Sequence, residues 1–244
     1  MRDAFIEELT DIAAEDPNLI LITGDLGFGV FDDFSKNFPN QFLNVGVAEQ
    51  NMTMVAAGMA MEGKKVFTYS IGNFPTLRCL EQIRNDICYH DLNVTIVSIG
   101  GGFSYGQLGM SHHATEDLSI MRALPNLLVT APSSILEVKR LTQELYESSS
   151  PSYLRLDKSH AKGPKKASSI QLGKALKIRE GKDLTIISCG GILHEAIIAA
   201  DLLEKEGFDL RILSMHTIKP LDHYSIDEAV KETGGIITLE ENNI

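Results

Sequence analysis

Short apolar runs separated by longer stretches of helical periodicity constrain this chain most, because a mostly parallel sheet with helices on its faces requires that alternation. Strands are expected at Leu19–Thr23, Val66–Tyr69, Val94–Ile99, Leu127–Thr130 and Tyr153–Leu156, with helices at Asp3–Glu15, Gln50–Met61, Leu77–Tyr89 and Ile135–Ser148. A polar, basic stretch broken by Gly163-Pro164 follows and reads as a linker over residues 158–172. A second pattern of the same kind runs through Leu184–Ser188, Leu193–Lys205, Leu210–Leu213, Ile226–Lys231 and Ile236–Leu239. The expected fold is α/β, with one domain over residues 1–157 and another over 173–244.

Within the first domain, Gly46-Val47-Ala48-Glu49-Gln50-Asn51-Met52 sets one carboxylate at the junction of a short strand and a long apolar helix. The run Met52–Met61 is too uniformly apolar for a surface helix, so Glu49 is expected to begin an element buried on most sides and to need a partner. Local chemistry leaves two roles open. Glu49 is either a first-turn residue favoured by the helix dipole or a shielded carboxylate whose desolvation suits it to sharing a proton.

Composition narrows the function classes. With 244 residues, 43% of them hydrophobic, the chain can bury a sizeable core, and a net charge of −11 argues against nucleic-acid binding. No apolar run approaches the roughly 18 residues of a membrane span, and Met1-Arg2-Asp3-Ala4 opens an amphipathic helix rather than a signal peptide, so a cytoplasmic location is expected. Cys79, Cys88 and Cys189 lie in apolar segments without metal-ligand spacing, so they read as reduced core thiols and no metal site is expected within this chain. Gly24-Asp25-Leu26-Gly27-Phe28-Gly29 misses the spacing of the dinucleotide fingerprint and of the P-loop, and reads as a turn.

Four separated segments carry a resemblance. They are Gly46–Met52, Arg78–Arg84, Gly106–Asp117 with Arg122-Ala123-Leu124-Pro125-Asn126, and Lys219-Pro220-Leu221-Asp222. In this order and at these separations they resemble the transketolase family over nearly the whole chain. The resemblance implies a thiamine-diphosphate-binding pyrimidine domain followed by a partial transketolase C-terminal domain. It implies that Glu49 hydrogen-bonds N1′ of the cofactor's aminopyrimidine, which activates the cofactor, and that Phe74 stacks on that ring, with core packing as the alternative for Phe74. Asp25 and Arg78 match positions near the cofactor, although Arg78 also reads as a surface or interface residue.

His112, within Ser111-His112, matches the family's histidine beside the thiazolium and would meet a substrate oxygen. His113 receives no catalytic role. Leu108 stands where many transketolases carry an Asp that reads a sugar hydroxyl, so it is expected to relax selection there. Arg2 and Arg155 match phosphate-binding arginines, with a structural salt bridge as the alternative for Arg155.

The family's Gly-Asp-Gly motif for the diphosphate and Mg²⁺ is absent, because Leu26 follows Gly24-Asp25. The resemblance therefore implies a split enzyme. A separate N-terminal transketolase subunit would hold the diphosphate and Mg²⁺, the assembly would be an α2β2 heterotetramer, and a two-carbon ketol unit would pass from a ketose, a sugar or sugar phosphate, to an aldehyde. Two alternatives are a β-subunit of a 2-oxoacid dehydrogenase and a non-catalytic binding or assembly module. The second domain is expected to lack roughly half of its sheet and to leave a three-stranded stub with an open edge. A longer chain continuing past Glu240-Glu241-Asn242 is preferred over a partner covering that edge.

Overall fold

The computed structural model describes residues 1–27, 29–164 and 169–243. Among these residues the first unit contains helices α1 (Arg2–Glu15), α2 (Asp32–Asn37), α3 (Glu49–Met61), α4 (Leu80–Gln82), α5 (Asp117–Ala123) and α6 (Ile135–Ser148). Its strands are β1 (Leu19–Thr23), β2 (Phe42–Asn44), β3 (Lys65–Ile71), β4 (Val94–Ile99), β5 (Leu128–Thr130) and β6 (Ser152–Leu156). The second unit holds β7 (Leu176–Arg179), β8 (Leu184–Ser188), α7 (Leu193–Lys205), β9 (Leu210–Ser214), β10 (Thr217–Lys219), α8 (His223–Glu232) and β11 (Ile236–Leu239).

The larger sheet runs β10-β5-β6-β4-β3-β1-β2, parallel throughout except for β10, which joins β5 antiparallel. Both faces are covered. Phe5, Leu9, Phe34, Val138 and Leu145 pack one face, while Met52, Ala56, Ile83, Ile87, Leu118 and Met121 pack the other. Fully buried strands of continuous apolar residues such as Leu-Ile-Leu-Ile at β1 follow from that two-sided burial. The α6 start is fixed by a capping box in which Ser134 and Glu137 serve each other's backbone N–H groups.

Three expectations change. The Leu77–Tyr89 helix is a short α-helical turn that continues as a π-helix over Ile83–Cys88, a distinction that apolar periodicity does not make. The second sheet has four strands in the order β11-β8-β9-β7 rather than three, because the short edge strand β7, antiparallel to β9, alternates too briefly to stand out. Helix α3 is buried along one face through Glu49, Met52, Thr53, Ala56 and Ala57, while Met54 and Met61 are half exposed, so its uniform apolarity serves two sides of which this chain covers one.

The second unit is also tied into the first. Strand β10 completes the larger sheet, and Ala161, within the expected linker, donates its N–H to the Ser133 carbonyl at 2.7 Å. Residues 165–168 of that linker lie outside the described residues. No helix among the described residues is long and apolar enough to cross a membrane.

Candidate active site

Strands β1 and β3 are neighbours, but the connection from β1 leads outward to the edge strand β2 and the chain then returns through α3 to β3 on the other side. Such a reversal opens a crevice beyond the carboxyl ends of the two strands. Gly24 and Asp25 follow β1 directly, Glu49 starts α3, and the turn from Gly72 to Cys79 leaves β3, so all three segments converge there. At Gly24 a Cβ would stand 3.6 Å from Glu49 Cγ and 3.4 Å from the Gly46 carbonyl, which places the β1 turn against the carboxylate's flank. Asp25 adopts a left-handed backbone (φ 59°) and exchanges two hydrogen bonds with the Asn44 amide at 3.0 and 3.1 Å.

Glu49 is 2% exposed. Its Oε2 accepts a hydrogen bond from Arg78 Nη1 at 2.7 Å, and the arginine side chain is 47% exposed. The guanidinium carbon lies 4.8 Å from the centre of the Phe74 ring, within cation–π range. Phe74 meets the His112 imidazole edge-on, with centroids 5.1 Å apart. Glu49, Arg78, Phe74 and His112 thus form one continuous line of contacts, drawn together from residues that the sequence spreads between positions 49 and 112.

The loop carrying His112 is held against β3 by specific contacts. Gly72 has φ 34°, and a Cβ there would come within 2.9 Å of the His112 carbonyl, so glycine permits this approach. The Asn73 amide donates to the carbonyls of Met110 and His113, and a bridge between Gly102 and Ala114 closes the loop's base. His113 Nε2 contacts the Gly106 carbonyl at 2.8 Å, which ties the loop back on itself. His112 Nδ1 is engaged by Ser111 Oγ at 3.0 Å. Leu108 ends a short 3-10 turn on the same loop and is 52% exposed.

A cavity of about 490 Å³ opens at the same end of the sheet on the α1 side, lined among others by Arg2, Leu26, Gly27, Tyr69, Tyr105 and Lys158. Arg2 pairs with Asp3 at 2.9 Å. Tyr105 connects this cavity to the histidine loop, since its ring lies 5.6 Å from His112 and Lys158 Nζ sits 3.6 Å above it. Burial pushes the Tyr105 phenol up, which keeps it a neutral donor. Neither Tyr105 nor Lys158 is marked by the sequence: the first sits in a glycine-rich loop without periodicity, and the second opens the expected linker.

Arg155 behaves otherwise than its phosphate-binding match implies. Its side chain is fully buried, 3.4 Å from Asp117 and 3.3 Å from Asp157, and its Nη1 donates to the Glu241 carbonyl at 3.3 Å. Burial disfavours its charge, but the two carboxylates outweigh that loss and hold the guanidinium protonated. Gly101 lies against it, where a Cβ would come within 2.2 Å of Arg155 Nε. In this arrangement Arg155 offers no donor to solvent, and the salt-bridge alternative describes its geometry.

The residues fit an aminopyrimidine: a shielded carboxylate and an aromatic ring stand on either side of one flat, half-exposed guanidinium, so the two groups are spaced to meet the edge and the face of a planar ring. Among the described residues no group of three or more His, Cys, Asp or Glu side chains is placed to hold a metal ion, and Cys79, Cys88 and Cys189 are free and buried.

Comparison with known proteins agrees with this layout. The profile of the transketolase pyrimidine-binding domain matches residues 1–163, and that of the transketolase C-terminal domain matches residues 173–244. The chain is 35% identical to an apulose-4-phosphate transketolase subunit of Phocaeicola vulgatus, covering 99% of this chain and 78% of that one. It is 32% identical to a 6-deoxy-6-sulfo-D-fructose transketolase subunit of a Clostridium species, covering 100% of this chain and 76% of the other. A solved structure described as a split gene transketolase, inactive beta4 tetramer, superposes with a TM-score of 0.90 at 35% identity, covering 99% of this chain and 78% of that chain.

Proposed function

The chain belongs to the transketolase family, and from that premise we propose that it is the pyrimidine-binding half of a two-chain transferase moving a two-carbon ketol unit from a ketose to an aldehyde. The observation that carries this reading is Glu49, a carboxylate 2% exposed at the switch point of the sheet, in line with Phe74 and His112. Relatives named as transketolase subunits favour it over a 2-oxoacid dehydrogenase β-subunit and over a non-catalytic module.

When bound, thiamine diphosphate supplies a reactive thiazolium carbon and an electron sink for breaking the C–C bond. Glu49 shares a proton with N1′ of the aminopyrimidine, a task suited to a carboxyl kept from water. Phe74 packs against a face of that ring, and Asp25 rigidifies the β1 turn through Asn44. With Nδ1 engaged by Ser111, His112 turns Nε2 toward a substrate oxygen, where it orients the carbonyl and passes protons. Leu108 presents an apolar wall that accepts no hydrogen bond, so the sugar hydroxyl read by Asp in other members goes unread at this position. Arg2 and Lys158 flank the cavity beside Tyr105 and would receive an anionic end of the substrate.

The diphosphate and Mg²⁺ fall to an N-terminal partner subunit in this reading, and two copies of each chain form the α2β2 enzyme. The exposed apolar side chains Val47, Met54, Leu77 and Met110, all near the Glu49 to His112 line in sequence, support a partner covering this face. Calorimetry tests the division of labour. The isolated chain is expected to bind thiamine diphosphate weakly and to show no turnover, with both restored by the partner, whereas tight Mg²⁺-dependent binding to this chain alone overturns it.

A further inference from the structure

We propose that Arg78 is a built-in placeholder for the aminopyrimidine ring, occupying the Glu49 carboxylate and the Phe74 ring until the cofactor displaces it. The proposal rests on the role of Glu49 argued above. A guanidinium is a flat cation with N–H donors at its edge, and so is a protonated aminopyrimidine. Arg78 already makes both contacts expected of that ring, with its Nη1–H on Glu49 Oε2 at 2.7 Å and its guanidinium carbon 4.8 Å from the Phe74 centroid.

The surroundings allow exchange. Gln50 Nε2 donates to the Arg78 carbonyl at 3.1 Å and Cys79 Sγ to the Phe74 carbonyl at 3.4 Å, so the backbone on both sides is fixed. The Arg78 side chain remains 47% exposed while that of Glu49 is 3% exposed. A carboxylate this buried is costly without a counter-charge, and Arg78 supplies one in the cofactor-free chain. An arriving ring takes over both contacts with one proton taken up from solvent and shared between N1′ and Glu49, and two cations cannot share the site without repulsion, so the long, half-exposed side chain swings outward. Cofactor affinity is then lowered by the fraction of time that Arg78 holds the site.

Calorimetric titration of thiamine diphosphate, with Mg²⁺ in excess, into the assembled two-chain enzyme tests this with Arg78→Gln and Arg78→Lys. Arg78→Gln is expected to tighten binding by roughly three- to tenfold, and Arg78→Lys, which keeps the charge but not the plane, by less. The cofactor-free melting temperature of Arg78→Gln should fall, and the gap to wild type should close at saturation. In the wild-type enzyme labelled with ¹⁵N at arginine, the Arg78 side-chain resonance should move toward that of a solvated guanidinium on cofactor binding. Equal or weaker affinity in Arg78→Gln, or an unmoved resonance, overturns the placeholder. Glu49→Gln run in parallel separates the two ideas: if it leaves binding and C2-proton exchange unchanged, the Glu49 reading itself fails, whereas damage there with an indifferent Arg78→Gln removes the placeholder alone.

Discussion

Two of the arginine–carboxylate groupings among the described residues, one at Arg78 and one at Arg155, differ in one respect that decides what each can do. Arg78 pairs with Glu49 at 2.7 Å while its own side chain is half in solvent. Arg155 sits 3.3 and 3.4 Å from Asp157 and Asp117 with every partner fully buried. Asp117 also accepts from the Tyr153 hydroxyl at 2.6 Å, and Asp157 accepts from the Gly191 N–H at 2.6 Å, so this seam stitches the first unit to the second. The first pair can open because one partner has water to return to. The second cannot, since separating it would strand charges in a dry interior. Identical residue chemistry thus gives a replaceable contact at the crevice and a fixed one at the seam.

The strongest way to break that contrast is Arg155→Met, which leaves Asp117 and Asp157 buried without their cation. A loss of about 3–5 kcal/mol in unfolding free energy is expected from denaturant titration. A variant that unfolds like wild type but raises KM for a phosphorylated substrate would instead return Arg155 to ligand binding. At the crevice, Glu49→Gln should leave unfolding nearly unchanged while lowering kcat in the assembled enzyme by about 10²- to 10⁴-fold, with only a modest change in KM. Cofactor C2-proton exchange should slow in parallel. Turnover and exchange both within about threefold of wild type would reduce Glu49 to a helix-terminus residue.

A smaller effect sharpens the seam's side. His216 sits between β9 and β10, its carbonyl accepting from Ala131 N–H and its Nδ1 contacting Thr217 Oγ1 at 3.0 Å. Burial pulls its pKa down from 6.5 to about 4. Between those values the unfolded chain binds the proton that the folded chain refuses, so this contribution is complete above pH 6.5 and is lost as pH falls toward 4. The loss amounts to about 3 kcal/mol at about pH 4. His216→Phe should flatten the pH dependence of unfolding in that window, and an unchanged slope would show that other groups set it.

Much of the fold is legible in the sequence because burial on two faces forces continuous apolar strands, and β1, β4, β8, α6 and α7 fall where the pattern puts them. The short elements α2, β2, α5, β7 and β10 are not legible, since three to seven residues give too few repeats to separate a period of two from one of 3.6. In the crevice, Glu49 and His112 are marked by their motifs. The contact of Arg78 with Glu49 is not, because nothing in the spacing of two residues 29 apart specifies that a side chain reaches back across a turn.

By itself the sequence determined the alternation of strands and helices, the segments that line the crevice, and the lack of a Gly-Asp-Gly motif for the diphosphate. Those are properties of residue type and order, which propensity and burial translate directly. Only the tertiary structure decided which arginine is open and which is sealed, that α3 keeps a bare apolar face, and that β10 crosses back to complete the larger sheet. Solvent access and partner distance are set by how separate segments pack together, and packing is a property of the folded whole.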